Sequence, residues 1–288
     1  MRSKLNAVLL GVSCASSLLL GCRGSRDPQK IPVVVDSSPL AGVEIIAPGD
    51  PRFDQEARQI VGAKLDLVKT LSPLLMLIKN NSQHTIVAYS PEWDLKRGPE
   101  EIPFVALRTF PMAISGPECD VPHDRPIRPG EERLEGMNSE VGNHPEDAST
   151  DAKYQAEDLA GVTAVKAHLD AVIFDDGTLV GPDRHNLPGK FVPDVEDHQS
   201  LYRSILASLH AGEPAEKLYD SLEAKRRQEF VESTKGNSPL GREHALMMEK
   251  LIAEQDVLGA WRNHGNSNSL AHFSLCLRTS PFTITRKN

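Results

Sequence analysis

HLDAVIFDDGTLVGPD, residues 168–183, sets two apolar runs on either side of Asp176-Gly177. Asp-Gly is a strong signal for a tight link between paired strands, so the stretch reads as a hairpin. Side chains alternate along a strand, which puts Leu169, Ala171 and Ile173 on one face and His168, Asp170, Val172 and Phe174 on the other. The first face is apolar and the second is mixed.

Working outward, LLMLIKNNSQHTIVAYSPEW (residues 74–93) has the same layout, two apolar and β-branched runs around Asn80-Asn81-Ser82-Gln83, and is expected to be another hairpin. Between the two hairpins, EIPFVALRTFPMAIS gives one or two strands broken by Pro111. From Gly116 to Ala160 there is little periodicity, and Arg128-Pro129-Gly130-Glu131 reads as a turn within a long polar loop. Upstream, the body starts near Val43-Glu44-Ile45-Ile46, with a short charged helix around Asp54 to Lys64.

After Pro193 the period changes. Asp194 is placed to cap a helix in which Leu201, Ile205 and Leu209 recur every fourth residue, ending at Gly212. Pro214 opens a second, charged helix with Leu218 and Leu222 on one side. Ser238-Pro239 starts a third, striped by Met247, Leu251, Leu258 and Trp261. Phe273–Leu277 and Phe282–Thr285 read as strands able to return to the sheet. Strands followed by helices imply α+β. The expectation is a small antiparallel β-sandwich, immunoglobulin-like or similar, over residues 43–190, then a three-helix region over residues 191–288.

The other end carries an address. Arg2 and Lys4 precede an apolar run from Leu5 to Leu20, the layout of an export signal, and the run is too short for a membrane span of about 20 residues. It closes on Leu19-Leu20-Gly21-Cys22, which resembles the lipobox of bacterial lipoprotein precursors. Cys14 competes, but its preceding Gly11-Val12-Ser13 lacks the leucine. The resemblance implies that residues 1–21 are removed, that Cys22 is acylated, and that two or three chains hold the protein to a membrane, each buried methylene adding about 0.8 kcal/mol. Arg23 rather than aspartate after the lipidated cysteine implies the outer membrane, facing the periplasm, in a host that has two. Residues 22–42, charged, serine-rich and punctuated by Pro28, Pro32 and Pro39, form the tether, with Val33-Val34-Val35 read as an extended part of it or an edge strand. The Phe174–Asp183 stretch is also similar to one in uncharacterised secreted bacterial proteins, and brings no activity with it.

Losing Arg2 and Lys4 with the signal takes the formal charge from −8 to −10, which disfavours nucleic acid and electrostatic attachment to anionic lipid. Beyond Cys22, Cys119 and Cys276 remain, and an exported compartment permits them to pair. Spacing alone leaves a disulfide and two separate thiols equally open.

The chain lacks G-x-S-x-G, H-E-x-x-H, C-x-x-C and phosphate-cradling glycine motifs. Histidine and carboxylate, residue types that suit divalent metals, gather at Asp120/His123/Asp124, at His144/Glu146/Asp147, and at Asp183/His185 with Asp194/Asp197/His198. A chain with 10 His and 40 acidic residues yields such groupings by chance, so they read first as solvated loops. Asp175-Asp176-Gly177 lacks the alternating acids of a calcium loop and reads as a hairpin turn. Lys225-Arg226-Arg227, among Glu223, Glu229 and Glu232, marks an exposed helical face. No catalytic residue, metal ligand or cofactor is assigned. The sequence predicts a lipid-anchored envelope protein without catalysis that binds another envelope component. An exported metal-dependent hydrolase using the His/carboxylate loops is the alternative.

Overall fold

The computed structural model describes residues 30–36, 40, 42–111, 113–115, 119, 126–137, 141–142, 145–235, 274–278 and 281–287. The lipobox, the third C-terminal helix, the Asp120/His123/Asp124 group and His144 lie outside the described residues.

Among the described residues, ten strands and five α-helices follow in chain order: β1 Val33–Val35, β2 Val43–Ile46, α1 Phe53–Val61, α2 Leu65–Val68, β3 Leu75–Asn80, β4 Ile86–Arg97, β5 Glu100–Val105, β6 Arg108–Thr109, β7 Glu132–Gly136, α3 Ala148–Asp158, β8 Ala164–Phe174, β9 Thr178–Val180, α4 Leu187–His210, α5 Ala215–Lys235 and β10 Thr285–Arg286. The class is α+β. Helices and strands are interspersed, because the Gly116–Ala160 stretch read as loop contributes β7 and α3, which fit their short apolar faces to neighbours far away in sequence.

One sheet has the order β10-β9-β8-β4-β5, with β1 also on β8 and β6 also on β4. The other is β2-β3-β7. Pairing is antiparallel except for β1 on β8 and β10 on β9. The hairpin read at residues 168–183 is β8 and β9. The one read at residues 74–93 is absent: β3 pairs with β2 and β7, whereas β4 pairs with β5, β6 and β8. The intervening residues cross from one sheet to the other. Asn80 fixes that crossing from a fully buried position, its Nδ2 donating to the carbonyls of His84 and Ile127, both at 2.8 Å, and its Oδ1 accepting from Ser82 N and Oγ.

The small sheet is buried on both faces. Leu75 and Leu77 meet Phe53, Ala57 and Val61 of α1, while Met76 and Ile78 join the core of the large sheet. The large sheet is also covered twice, as two neighbours in β6 show. Arg108 Nε reaches Glu135 of β7 at 3.2 Å, and Thr109 Oγ1 donates to Asp194 of α4 at 2.9 Å. Residues adjacent in a strand point to opposite faces. The layers are therefore α4, large sheet, small sheet, and α1–α3.

Three boundaries differ from the sequence reading. β1 lies in the segment assigned to the tether and pairs with Val165–Ala167 of β8. α4 begins at Leu187 and runs through Pro193, with Asp183 Oδ1 accepting from Leu187 N at 2.7 Å, so Asp194 is inside the helix rather than its cap. Pro193 removes one intrahelical bond, and burial of Phe191 and Val195 against the sheet outweighs it. Residues 274–276, expected as strand, form a helical turn, while the last strand does return to the sheet as β10. Cys276 on that turn is bonded to Cys119, with Cα atoms 5.7 Å apart, in a small core with Tyr202, Ile205, Leu206 and Leu218 that joins α4 to α5.

Candidate functional site

Neighbouring strands β4 and β8 set Glu92 opposite His168 and Asp94 opposite Lys166. Their register shifts between Ser90 and Pro91, where β8 contributes one extra residue, Asp170. Such a bulge leaves the extra residue outside the ladder and re-aims its side chain. The loop after β9 then folds back over this point. Gly181, at φ +104°, passes so close that a Cβ would stand 2.3 Å from the Asp170 carbonyl oxygen, which only glycine avoids. Asp183 and Asn186 follow with φ of 57° and 53°, uncommon for side-chain-bearing residues. These bends deliver Arg184 and His185 onto the β4–β8 face.

The result is a connected ionic cluster. Arg184 Nε donates to Asp170 Oδ1 at 2.9 Å, and its NH2 lies 3.0 Å from Glu92 Oε2 and 2.6 Å from His168 Nε2. His185 adds its backbone N–H to Asp170 Oδ2 at 3.1 Å and its Nε2 to Glu92 Oε2 at 3.2 Å. His168 Nε2 is 3.0 Å from the same Glu92 oxygen. On its other side, His168 Nδ1 is buried without a hydrogen-bond partner among the described residues, 3.8 Å from Asp94 Oδ2.

Side-chain exposure is 0% for Asp170, 4% for Glu92 and 6% for His168, against 52% for Arg184, so the cluster opens to solvent at the guanidinium. Three carboxylates, Glu92, Asp94 and Asp170, face one guanidinium. Burial holds the Asp94 carboxyl above its usual range; His168 and Lys166 pull it down, while the charges of Glu92 and Glu101 push it further up. The hydrogen bond to Asp170 raises Arg184, which stays cationic.

The residues singled out from sequence do not converge here as a set. Glu146 pairs with Lys64 at 2.9 Å. Asp183 caps α4 and holds Arg286 at 2.8 Å. Asp194 faces Thr109, His198 Nδ1 lies 2.7 Å from the Asp194 carbonyl, and Asp197 lines a cavity of about 410 Å³ with Arg203, Arg278 and Phe282. His185 alone of these joins the cluster. Sequence reading passed over Glu92, Asp94 and Arg184 as site residues, and saw His168 and Asp170 only as a mixed strand face. Two charged residues in a face that the alternation could have left in water were the available signal. Asp175 and Asp176 do form the turn of the hairpin, with Asp176 accepting from Thr178 N at 2.8 Å and Oγ1 at 2.9 Å, and His84 stands beside them.

No family model matches the chain, and no curated protein or solved structure matches it.

Proposed function

We propose that this is a lipid-anchored envelope protein, exported and held through Cys22, whose folded body binds another envelope component without catalysis. The observation that carries the reading is the Cys119–Cys276 disulfide. Disulfides persist in oxidising compartments and are rare in the cytosol, so a buried one is what an exported body would have. The Leu19–Cys22 stretch supplies the anchor in this reading, and the acidic balance argues for a partner other than nucleic acid. The two sheets with a shared core are taken as an elaborated β-sandwich. In a host with two membranes, Arg23 favours the outer one.

The test is Cys22→Ser in cells. Wild type is expected in the membrane fraction, labelled by fatty acid, with cross-linking at native expression trapping a recurring partner; the variant is expected to leave the membrane and lose the label. Unchanged fractionation of the variant, or recovery of an intact Met1 terminus, would overturn the anchor, and absence of any cross-linked partner would overturn the binding role.

A metal-dependent hydrolase is the second reading, and one observation favours it: Glu92, Asp94 and His168 offer ligand atoms within 4.8 Å of one another at a buried position. It would use the β4–β8 face rather than the loops between residues 119 and 198.

A further inference from the structure

Two polar groups in the β4–β8 cluster are left over. His168 is 5% exposed, yet its Nδ1 has no hydrogen-bond partner among the described residues. Buried polar atoms of this kind are uncommon and call for an explanation. Nδ1 points toward Asp94 Oδ2 across 3.8 Å, too far for a hydrogen bond. The gap comes near that of an ion held by both, since two ligands about 2.1 Å from a tetrahedral metal stand about 3.4 Å apart, and closing the difference takes only a few tenths of an ångström. Asp94 keeps 14% of its side chain in solvent, which gives an ion a way in.

On the other side of the imidazole stands the carboxylate partner that metal centres use. A ligating histidine usually gives its second N–H to a carboxylate, which fixes the tautomer and the ring orientation. Here Glu92 Oε2 lies 3.0 Å from Nε2, and Glu92 is itself held by His185 and Arg184. The excess of carboxylates over guanidinium supplies charge that a cation would offset. An imidazole donor beside carboxylates favours a first-row transition ion or zinc over calcium or magnesium, which prefer all-oxygen sites.

We propose that His168 Nδ1 and Asp94 bind a divalent cation of the zinc class, with Glu92 as the carboxylate that orients the imidazole and water completing the coordination. In the metal-free cluster Arg184 Nη2 also stands 2.6 Å from His168 Nε2, a contact that has to be released when the ring binds a metal. With metal on Nδ1, Nε2 carries the ring proton and donates it to Glu92, while Arg184 keeps its hold on Asp170 Oδ1. This site does not depend on the lipid anchor or on any hydrolytic activity.

The probe is ZnCl2, titrated calorimetrically into the full chain after chelator treatment. About one equivalent is expected to bind and to raise the melting temperature. Asp94→Asn and His168→Gln should each weaken binding at least tenfold, and Glu92→Gln about 10- to 100-fold, the usual effect of losing an orienting partner. His84→Ala, in the exposed His84/Asp175/Asp176 group, should leave the affinity unchanged. Absence of zinc binding, binding that survives both Asp94→Asn and His168→Gln, or binding abolished by His84→Ala overturns the proposal. If His168→Gln fails to fold, Asp94→Asn decides the outcome alone, because Asp94 is at the solvent edge of the cluster.

Discussion

At the scale of single residues, the chain puts charge where folding would ordinarily exclude it and then satisfies it locally. Asp176, in the turn between β8 and β9, illustrates the direction of the effect. Burial pushes its carboxyl up, but the two hydrogen bonds from Thr178 and the charges of His84 and Lys287 more than offset this and hold it below its ordinary value of 3.8. A carboxylate whose folded-state pKa is depressed stabilises the fold above the unfolded-state value, and that contribution disappears as pH falls through the folded-state value. Asp176→Asn is therefore expected to be less stable than wild type at neutral pH, with the gap closing in acid below 3.8. Urea unfolding at pH 7 and near pH 3 measures both; a gap that widens in acid would contradict the assignment. The turn role of Asp176-Gly177 was legible because one dipeptide determines it. The role of Asp170 was not, since a bulge depends on the register of a strand more than 70 residues away.

At the scale of elements, the strands themselves were readable and their partners were not. Apolar alternation located β3, β4, β8 and β9, and four-residue spacing located α4 and the start of α5. The short-range rule that joins consecutive strands failed at Asn80-Asn81-Ser82-Gln83. Asparagine serves a turn or a buried hydrogen-bonding junction equally well, and only tertiary context separates the two. Asn80 spends all four of its side-chain hydrogen bonds on the crossing. Asn80→Ala removes four hydrogen bonds, although the His84 carbonyl keeps the Ser82 hydroxyl and the Ile127 carbonyl keeps the Ile86 N–H; at about 0.5–1.5 kcal/mol net for each bond, the expected loss is roughly 2–6 kcal/mol. Chemical denaturation checks the size, and a change below about 0.5 kcal/mol would mean the crossing is held elsewhere. The candidate site had the same fate. His168 and Asp170 were visible on one strand, but their partners come from β4 and from a loop bent by positive-φ residues, and no local pattern announces that meeting.

At the scale of the whole molecule, four layers share two main cores, and the disulfide clips a third, smaller one to them. Cys119 and Cys276 are 157 residues apart in sequence. Closing so long a loop restricts the unfolded chain by about 5 kcal/mol in the chain-entropy account, and removing native disulfides costs roughly 2–5 kcal/mol. The double variant Cys119→Ser/Cys276→Ser should lose stability in that range. Hydrogen exchange should show the loss first where α4 meets α5, while β4 and β8 stay protected; uniform loss of protection across both sheets would show that the clip supports the entire body instead.

The pairing of β1 with β8 also decides how far this body can stray. Were the fold to begin only at Val43, the twenty residues after Cys22 could pay out about 70 Å of leash at full extension. With Val33 already committed to the sheet, ten residues remain, and their maximum reach is about 35 Å. A protein moored at Cys22 would therefore patrol a shallow zone against its own bilayer, and whatever it meets must be embedded in that leaflet or come down to it.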